Sequence, residues 1–358
     1  MKKILIAGGL GYIGSTLGPF LQQNGYQVFC YDSGLFKNCL LFNENEYPFI
    51  RKDIRDLTIN DLEDVYAVIM LAGVSNDPFN QVSPEKVYTP SREYSLKIAS
   101  LCKELKIKFI FASSCSIYGK GSHKLLDEES GVYPQTPYSK NKLEIEEDLA
   151  TISGNGFTPI CLRFATVFGI SPRMRFDIFV NMMTAQALTT GEITLNSDGS
   201  AWRPNLHILD LCETVKKSIE LEVNTKNPLI INVGMESENY RIVDVAKLIA
   251  SKIDACKITF LKNISKNSKQ SFEILRDRKV PDGIDTRTYK ISFRKLFETF
   301  PHLKFQYSLD KGIDNMISTF KEINLQKESF YNHNFYRLQY IESLHRENII
   351  SDDLRWKK

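Results

Sequence analysis

Residues 3–14, Lys3-Ile4-Leu5-Ile6-Ala7-Gly8-Gly9-Leu10-Gly11-Tyr12-Ile13-Gly14, decide the fold. A short β-rich run, Lys3 to Ala7, ends on glycines at positions 8, 11 and 14, and a helical stretch from Tyr12 to Gln23 opens inside the same turn. Glycine lets the chain turn tightly and leaves the backbone N–H groups of the new helix uncovered, where the helix dipole favours a diphosphate. Asp32 closes the next β-rich run, 18 residues after Gly14. A carboxylate there accepts hydrogen bonds from an adenosine ribose. It also repels a 2′-phosphate, and Ser33-Gly34-Leu35-Phe36 offers no arginine to neutralise one, so NAD is expected over NADP.

Outward from this turn, β-rich and helical stretches alternate. Strands are expected at Gln27 to Tyr31, Pro48 to Lys52, Ala67 to Leu71, Phe109 to Ala112 and Thr158 to Arg163, and helices at Glu85 to Leu105, interrupted by Pro90, and Ser139 to Ser153. That alternation predicts an α/β fold, a doubly wound parallel Rossmann sheet. After Gly169 the loops lengthen. Strands near Ile193 to Leu195, Leu229 to Val233 and Lys257 to Phe260 alternate with helices near Leu211 to Leu221 and Ile242 to Ile253, which predicts a smaller mixed α/β C-terminal substrate lobe. The expected division is 1–169 for the dinucleotide unit, with some later segments returning to it, 170–330 for the interleaved lobe and 331–358 for a tail. The tail carries Phe330, Tyr331, Phe335, Tyr336, Leu338, Tyr340, Ile341 and Leu344, too apolar to hang free, and is expected to dock as a helix. Lys262 to Gln270, rich in Lys, Ser and Asn, reads as a mobile surface loop.

Composition narrows the function. The 358 residues are 42% hydrophobic and 25% charged, with 46 Lys plus Arg against 43 Asp plus Glu. The formal charge of +3 makes neither nucleic acid nor an anionic membrane the default partner, so any anion must be recognised locally. Seven scattered cysteines without a C-x-x-C pair read as reduced thiols, and five histidines without metal-ligand spacing predict no metal. The apolar run Ile4 to Ala7 is too short for a signal peptide, and Tyr66 to Ala72 far too short for a membrane span; a soluble cytoplasmic protein is expected.

Tyr138-Ser139-Lys140-Asn141-Lys142 puts Tyr138 and Lys142 at i and i+4 on one helix face. An ammonium beside a phenol favours the phenolate, so the pair can serve as a general base near neutrality. Tyr307 and Lys311 share the spacing, but outside the βαβ region. What distinguishes the first pair is Ser113-Ser114-Cys115-Ser116-Ile117-Tyr118-Gly119 at the end of a predicted strand, where side chains face the ligand crevice of a parallel sheet.

Together, GGLGYIG, Asp32, SSCSIYG and YSKNK resemble the extended short-chain dehydrogenase/reductase family, in particular its NAD-dependent nucleotide-sugar epimerases and dehydratases, with similarity over roughly residues 1 to 315. The resemblance implies that Tyr138 takes a proton from a sugar hydroxyl, that Lys142 holds the nicotinamide ribose, and that Ser114 orients the hydroxyl. It implies a cofactor site of Gly8, Gly11, Tyr12, Ile13, Gly14, Asp32, Asp53, Ile54, Leu71, Ala72, Gly73 and Phe164 with Tyr138 and Lys142. It places Ser116, Asn181, Arg203 and Arg287 against the nucleotide-sugar substrate. A homodimer through helices Glu85 to Leu105 and Ser139 to Ser153 is a family expectation.

Departures from the family pattern carry information. Dehydratases hold an Asp-Glu pair directly after the catalytic Ser or Thr; here Cys115 and Ser116 stand there, and dehydration loses its acid and base. Ser91 and Thr166 replace asparagines common among relatives. The expected activity is therefore epimerisation, at C4, through a transient keto sugar. A dehydrogenase or ketoreductase with net redox change and a non-catalytic NAD-binding protein stay open as alternatives.

Overall fold

The computed structural model describes residues 1–43, 47–75, 83–260 and 287–357. The loop expected at 262–270, and Asp285 and Thr286, lie outside them. Strands β1 (Lys3–Ala7), β2 (Gln27–Asp32), β3 (Phe49–Arg51), β4 (Val65–Met70) and β5 (Lys108–Ser114) belong to one sheet. The chain leaves it for β6 (Lys120–Leu126), re-enters with β7 (Ile160–Phe164), leaves again for β8 (Thr166–Phe168), β9 (Glu192–Leu195) and β10 (Trp202–His207), and returns with β11 (Leu229–Val233). The order is β11-β7-β5-β4-β1-β2-β3, with every neighbouring pair parallel. This is a Rossmann-like doubly wound sheet.

A parallel sheet must be covered on both faces, and the alternation along each strand shows how. Ile4 and Ile6 of β1 join the cluster of Leu17 and Leu21 from α1 (Gly14–Gln23). Leu5 and Ala7 face the other way, with Ile98 of α2 (Pro84–Glu104) and Ile145 of α3 (Pro137–Ile152). Helix α2 is continuous through Pro90, contrary to the interruption expected there. Pro90 lies in the helix's second turn, so its missing N–H frees one carbonyl close to the helix start, and Asn141 of α3 braces the same turn by donating to the Tyr88 carbonyl at 2.9 Å.

The second cluster gathers Phe176 and Met183 with α4 (Phe179–Thr190), Val245 and Ile249 of α6 (Ile242–Ala250), and Ile313, Met316 and Phe320 of helix Leu309–Glu322. Between them, α5 (Ile208–Glu220) belongs to the sheet's face, through Leu211, Val215 and Ile219. Leu229–Val233, expected in the lobe, pairs with β7 at the edge of the large sheet. Small sheets complete the lobe: β12 (Asn239–Arg241) with β10 and β8, β13 (Lys257–Phe260) with β9, and β14 (Thr288–Ile291) with β6. After Phe330 the chain folds into helix Arg337–Arg346 and lays Leu338, Ile341, Leu344 and Trp356 on Leu35, Phe36, Val74, Val87, Tyr88 and Tyr138. No helix among the described residues is long and apolar enough to cross a membrane.

One buried polar network fixes α3 against the sheet. Arg163 of β7 donates to both oxygens of Glu146 on α3, at 2.7 Å from Nη2 and 3.1 Å from Nε. Ser113 of β5 donates to Glu146 at 2.5 Å, and Arg163 Nη1 donates to the Tyr118 oxygen at 2.9 Å. Both charged groups are buried, so their attraction is hardly screened, and neither tolerates loss of the other. Arg163→Met should lower stability by about 3–5 kcal/mol, because Glu146 is left buried without its cation. A denaturant midpoint that does not move would rule this pair out as a structural anchor.

Candidate active site

The carboxyl ends of β1, β2, β4, β5 and β7 converge on a crevice. At its floor Gly8, with φ +88°, passes so close to β4 that an added Cβ would lie 2.6 Å from Ala72 backbone atoms. Gly14 is equally closed, 2.4 Å from the Gly9 oxygen. Gly11 differs: a Cβ there would meet Gly8 O at 3.6 Å and otherwise open space. Helix α1 starts at this point without a side-chain cap and without an acidic residue in its first turn, so its positive end faces an uncovered cradle.

Asp32 ties the loop to β2, accepting from Leu10 N–H at 3.0 Å and Gly34 N–H at 2.8 Å on separate oxygens. Burial raises its pKa, and the two N–H groups oppose that shift. Each oxygen keeps a second acceptor direction for a ribose. Gly73 follows Leu71 and Ala72 at the end of β4, with φ +147° and open space bounded by Ser91 and Tyr94 oxygens. Phe164 ends β7 in register with Ser114.

Several residues expected near a ligand also make contacts within the protein. Asp53 caps a 3-10 turn and holds Arg55 through its Nε at 2.8 Å and Nη2 at 2.6 Å, while Ile54 is buried in the core beneath. The Tyr12 side chain is buried, donating to Gly169 O at 2.7 Å, so the backbone and not the phenol faces the cradle. Asn181 is 0% exposed. Its amide accepts from Gly169 N–H at 3.0 Å and donates to Tyr12 Oη and Arg175 O, which makes it a brace between the lobe and the glycine turn.

The chemistry-bearing trio sits across the crevice. Thr136 and Ser139 exchange side-chain and backbone hydrogen bonds as a capping box and Pro137 opens α3, which sets Tyr138 in the helix's first turn. Lys142, one turn on, donates from Nζ to Ala112 O at 2.7 Å, with the Phe111 ring centroid at 4.5 Å and the Tyr138 ring centroid at 5.9 Å. Burial lowers its pKa to about 8, and the Glu146 carboxylate resists the drop. Ser114 ends β5 with its Oγ accepting from Ser116 N–H at 3.1 Å. The Ser116 hydroxyl is buried and has no hydrogen-bond partner among the described residues. Cys115 points the other way, its thiol on Arg163 O at 3.1 Å and its pKa raised by burial.

Arg203 and Arg287 are brought to each other. Arg203 on β10 donates to the carbonyls of Trp202 and Arg287 and lies 5.3 Å from the Tyr289 ring centroid, pinning the start of β14. Through β14 and β6 this corner continues from the Cys115–Tyr118 turn. Reasoning from spacing missed Glu146, Arg163 and Asn141, because each works through a partner distant in sequence.

A Rossmann sheet with an open glycine cradle and a Ser, Tyr, Lys trio at its carboxyl edge defines a dinucleotide-dependent enzyme of the short-chain dehydrogenase type. The chain belongs to the NAD dependent epimerase/dehydratase family, whose profile matches residues 4–234. NAD is accordingly its cofactor, and the cradle at Gly11 and the two-oxygen acceptor Asp32 fit that group. Over 266 residues the chain is 25% identical to a UDP-glucose 4-epimerase of Neisseria meningitidis serogroup C, covering 65% of this chain and 78% of the relative. It is 24% identical to the Mycoplasma genitalium UDP-glucose 4-epimerase, covering 81% and 97%. Its fold matches TunA, described as an NAD dependent NDP-hexosamine 5,6-dehydratase, with a TM-score of 0.74 at 20% identity, covering 90% of this chain and 98% of that one. It also matches the UDP-glucuronic acid 4-epimerase of Bacillus cereus, with a TM-score of 0.70 at 24% identity over 90% and 99%.

The Lys142 shift has a sign that can be measured. The folded state favours the neutral amine, so the unfolded chain binds more protons above pH 8 and this group's contribution to stability rises with pH from about 8 toward 10.5. Glu146→Gln removes the carboxylate that supports the ammonium and should lower the Lys142 pKa further below 8. Lysine-selective NMR titration of the two proteins checks this; an upward or absent shift would contradict the assigned environment.

Proposed function

We propose that this enzyme is a nucleotide-sugar epimerase acting at C4 through a transient keto sugar. The observation that carries the reading is the Cys115 side chain. Where a dehydratase needs an acid and a base beside the catalytic serine, this chain has a thiol turned into the core and held on Arg163 O, followed by a neutral serine. Elimination has no proton donor there. Oxidation and return at a single carbon needs none beyond Tyr138.

In this reading the Ser114 and Tyr138 oxygens bind one sugar hydroxyl, and Tyr138 removes its proton. Lys142, fixed on Ala112 O, holds positive charge beside the phenol and favours its anion. NAD, when bound, supplies a reversible hydride acceptor. Turning of the keto sugar would present the opposite face of that carbon to the bound cofactor, and Tyr138 would give the proton back to the oxygen, so that the centre is inverted with no net consumption of cofactor. Arg203 and Arg287 suit the nucleotide diphosphate, since guanidinium matches phosphate oxygens. The names of the curated relatives, UDP-glucose 4-epimerases, support the carbon and the substrate class. A cytoplasmic homodimer built on α2 and α3 accompanies the reading.

Tyr138→Phe removes only the phenol oxygen and should reduce turnover by about 10²–10⁴-fold while NAD binding persists. The assay incubates both proteins with UDP-, GDP-, CDP- and dTDP-sugars while following 340 nm absorbance and sugar stereochemistry. Inversion without absorbance growth is expected; stoichiometric NADH accumulation would make the enzyme a net oxidoreductase instead. Asp32→Ala should weaken the preference for NAD over NADP, and an unchanged ratio in paired titrations would remove Asp32 from the ribose.

A further inference from the structure

Three guanidinium groups meet behind the Asp32 loop. Arg175 is paired with Asp177 through two hydrogen bonds of 2.9 Å and donates to Ser75 Oγ at 2.8 Å. Arg337, from the C-terminal helix, donates to the same Ser75 Oγ at 2.5 Å. Arg173 and Arg337 lie 4.5 and 5.6 Å from the Phe36 ring centroid. Arg173 is 1% exposed, and among the described residues its Nε and Nη2, like Arg337 Nε, have no hydrogen-bond partner. Among the described residues no ion pair reaches either. The contrast with Arg163 is direct, since that equally buried arginine engages Glu146 and Tyr118 from all three of its nitrogens. Burial of a cation without a directly bonded anion is costly, and burial pushes the Arg173 pKa down to about 10 against the pull of Asp177. Among the described residues the carboxylates that act on these groups are Asp177, already paired with Arg175, and Asp32, and neither is hydrogen-bonded to Arg173 or Arg337.

Its position names the missing anion. Arg337 is held on Ser75, two residues beyond Gly73 at the end of β4, and lies over Phe36, four residues beyond Asp32, while its helix packs in the same cluster as Tyr138. The Arg173 loop rests on the glycine turn, where Ser171 Oγ donates to Tyr12 O at 2.7 Å and contacts Ser15 Oγ at 2.9 Å. A dinucleotide lying from Asp32 to Tyr138 has its diphosphate midway, over the start of α1. We propose that Arg173 and Arg337, steadied by Ser75, clamp the diphosphate of the cofactor from the side opposite the glycine turn, so that the C-terminal segment forms part of the NAD site. The segment is held in place beyond Arg337: Trp356 Nε1 donates to Ser33 O at 2.8 Å and Arg355 pairs with Asp56 at 2.8 Å, closing the adenosine end as well. Bound NAD is therefore retained by a segment outside the residues that match the family.

The proposal rests on NAD as cofactor, and the test separates the two. Full-length wild type and R337Q are compared for NAD retained per chain after gel filtration, then, freed of nucleotide, titrated calorimetrically with ADP, adenosine and UDP. Loss of a charged hydrogen-bond donor on phosphate should weaken ADP binding about 10- to 100-fold and lower retained NAD, with adenosine and UDP unchanged. The nucleotide-free R337Q protein should unfold at the wild-type temperature or above it, since an uncompensated charge is removed. R173M should repeat the ADP loss. Unchanged ADP affinity, equal loss for adenosine, or a lowered unfolding temperature with ADP binding intact overturns the clamp. Loss of UDP affinity instead of ADP affinity overturns it in favour of the substrate's diphosphate. Wild type that binds neither NAD nor ADP would overturn the cofactor assignment itself.

Discussion

The buried contact between Arg163 and Glu146 is the constraint on which the site depends. It joins β7 to α3, and Ser113 brings β5 into the same contact. Glu146 lies one helical turn beyond Lys142, and Ser113 directly precedes Ser114. The charge pair that anchors the helix therefore also sets where the phenol, the amine and the serine stand relative to one another. Because a buried pair is strong only with its hydrogen bonds satisfied, the geometry has little freedom to drift. The same carboxylate keeps Lys142 more basic than burial alone would leave it.

The opposite wall of the crevice is built on an electrostatic imbalance. Where α3 carries a satisfied pair, the Arg173 and Arg337 corner carries cations whose donors are not all used. The two walls suit different tasks. A satisfied network holds Tyr138, Lys142 and Ser114 still, and a diphosphate at the other corner, as proposed, would link that corner's stability to occupancy. Between them the glycine turn supplies open backbone at Gly11.

Much of the fold was legible from residues 3–14 and the alternation that follows, since strand and helix periods are local. The first strand, the glycine turn, Asp32 and the Tyr138 helix are observed where they were expected, within a residue or two at their ends. Leu229–Val233 was assigned to the lobe because a short apolar run does not reveal its neighbour, and it is an edge strand of the main sheet. Pro90 was read as a break because proline removes an N–H, yet tertiary support carries the helix through it. Asp53 also holds Arg55 and Asn181 also braces Gly169 and Tyr12, contacts that no spacing rule could show.

The sequence by itself determined the class of protein. Glycine spacing, a terminal carboxylate and an i, i+4 tyrosine and lysine are short-range patterns whose chemistry follows from backbone geometry. Only the tertiary structure decided which way Cys115 points, that Glu146 and Arg163 hold the trio, and that an arginine more than 160 residues beyond Arg173 shares a corner with it. Those facts depend on contacts between segments far apart along the chain, where burial sets the strength of every charge and local periodicity carries no information about the partner.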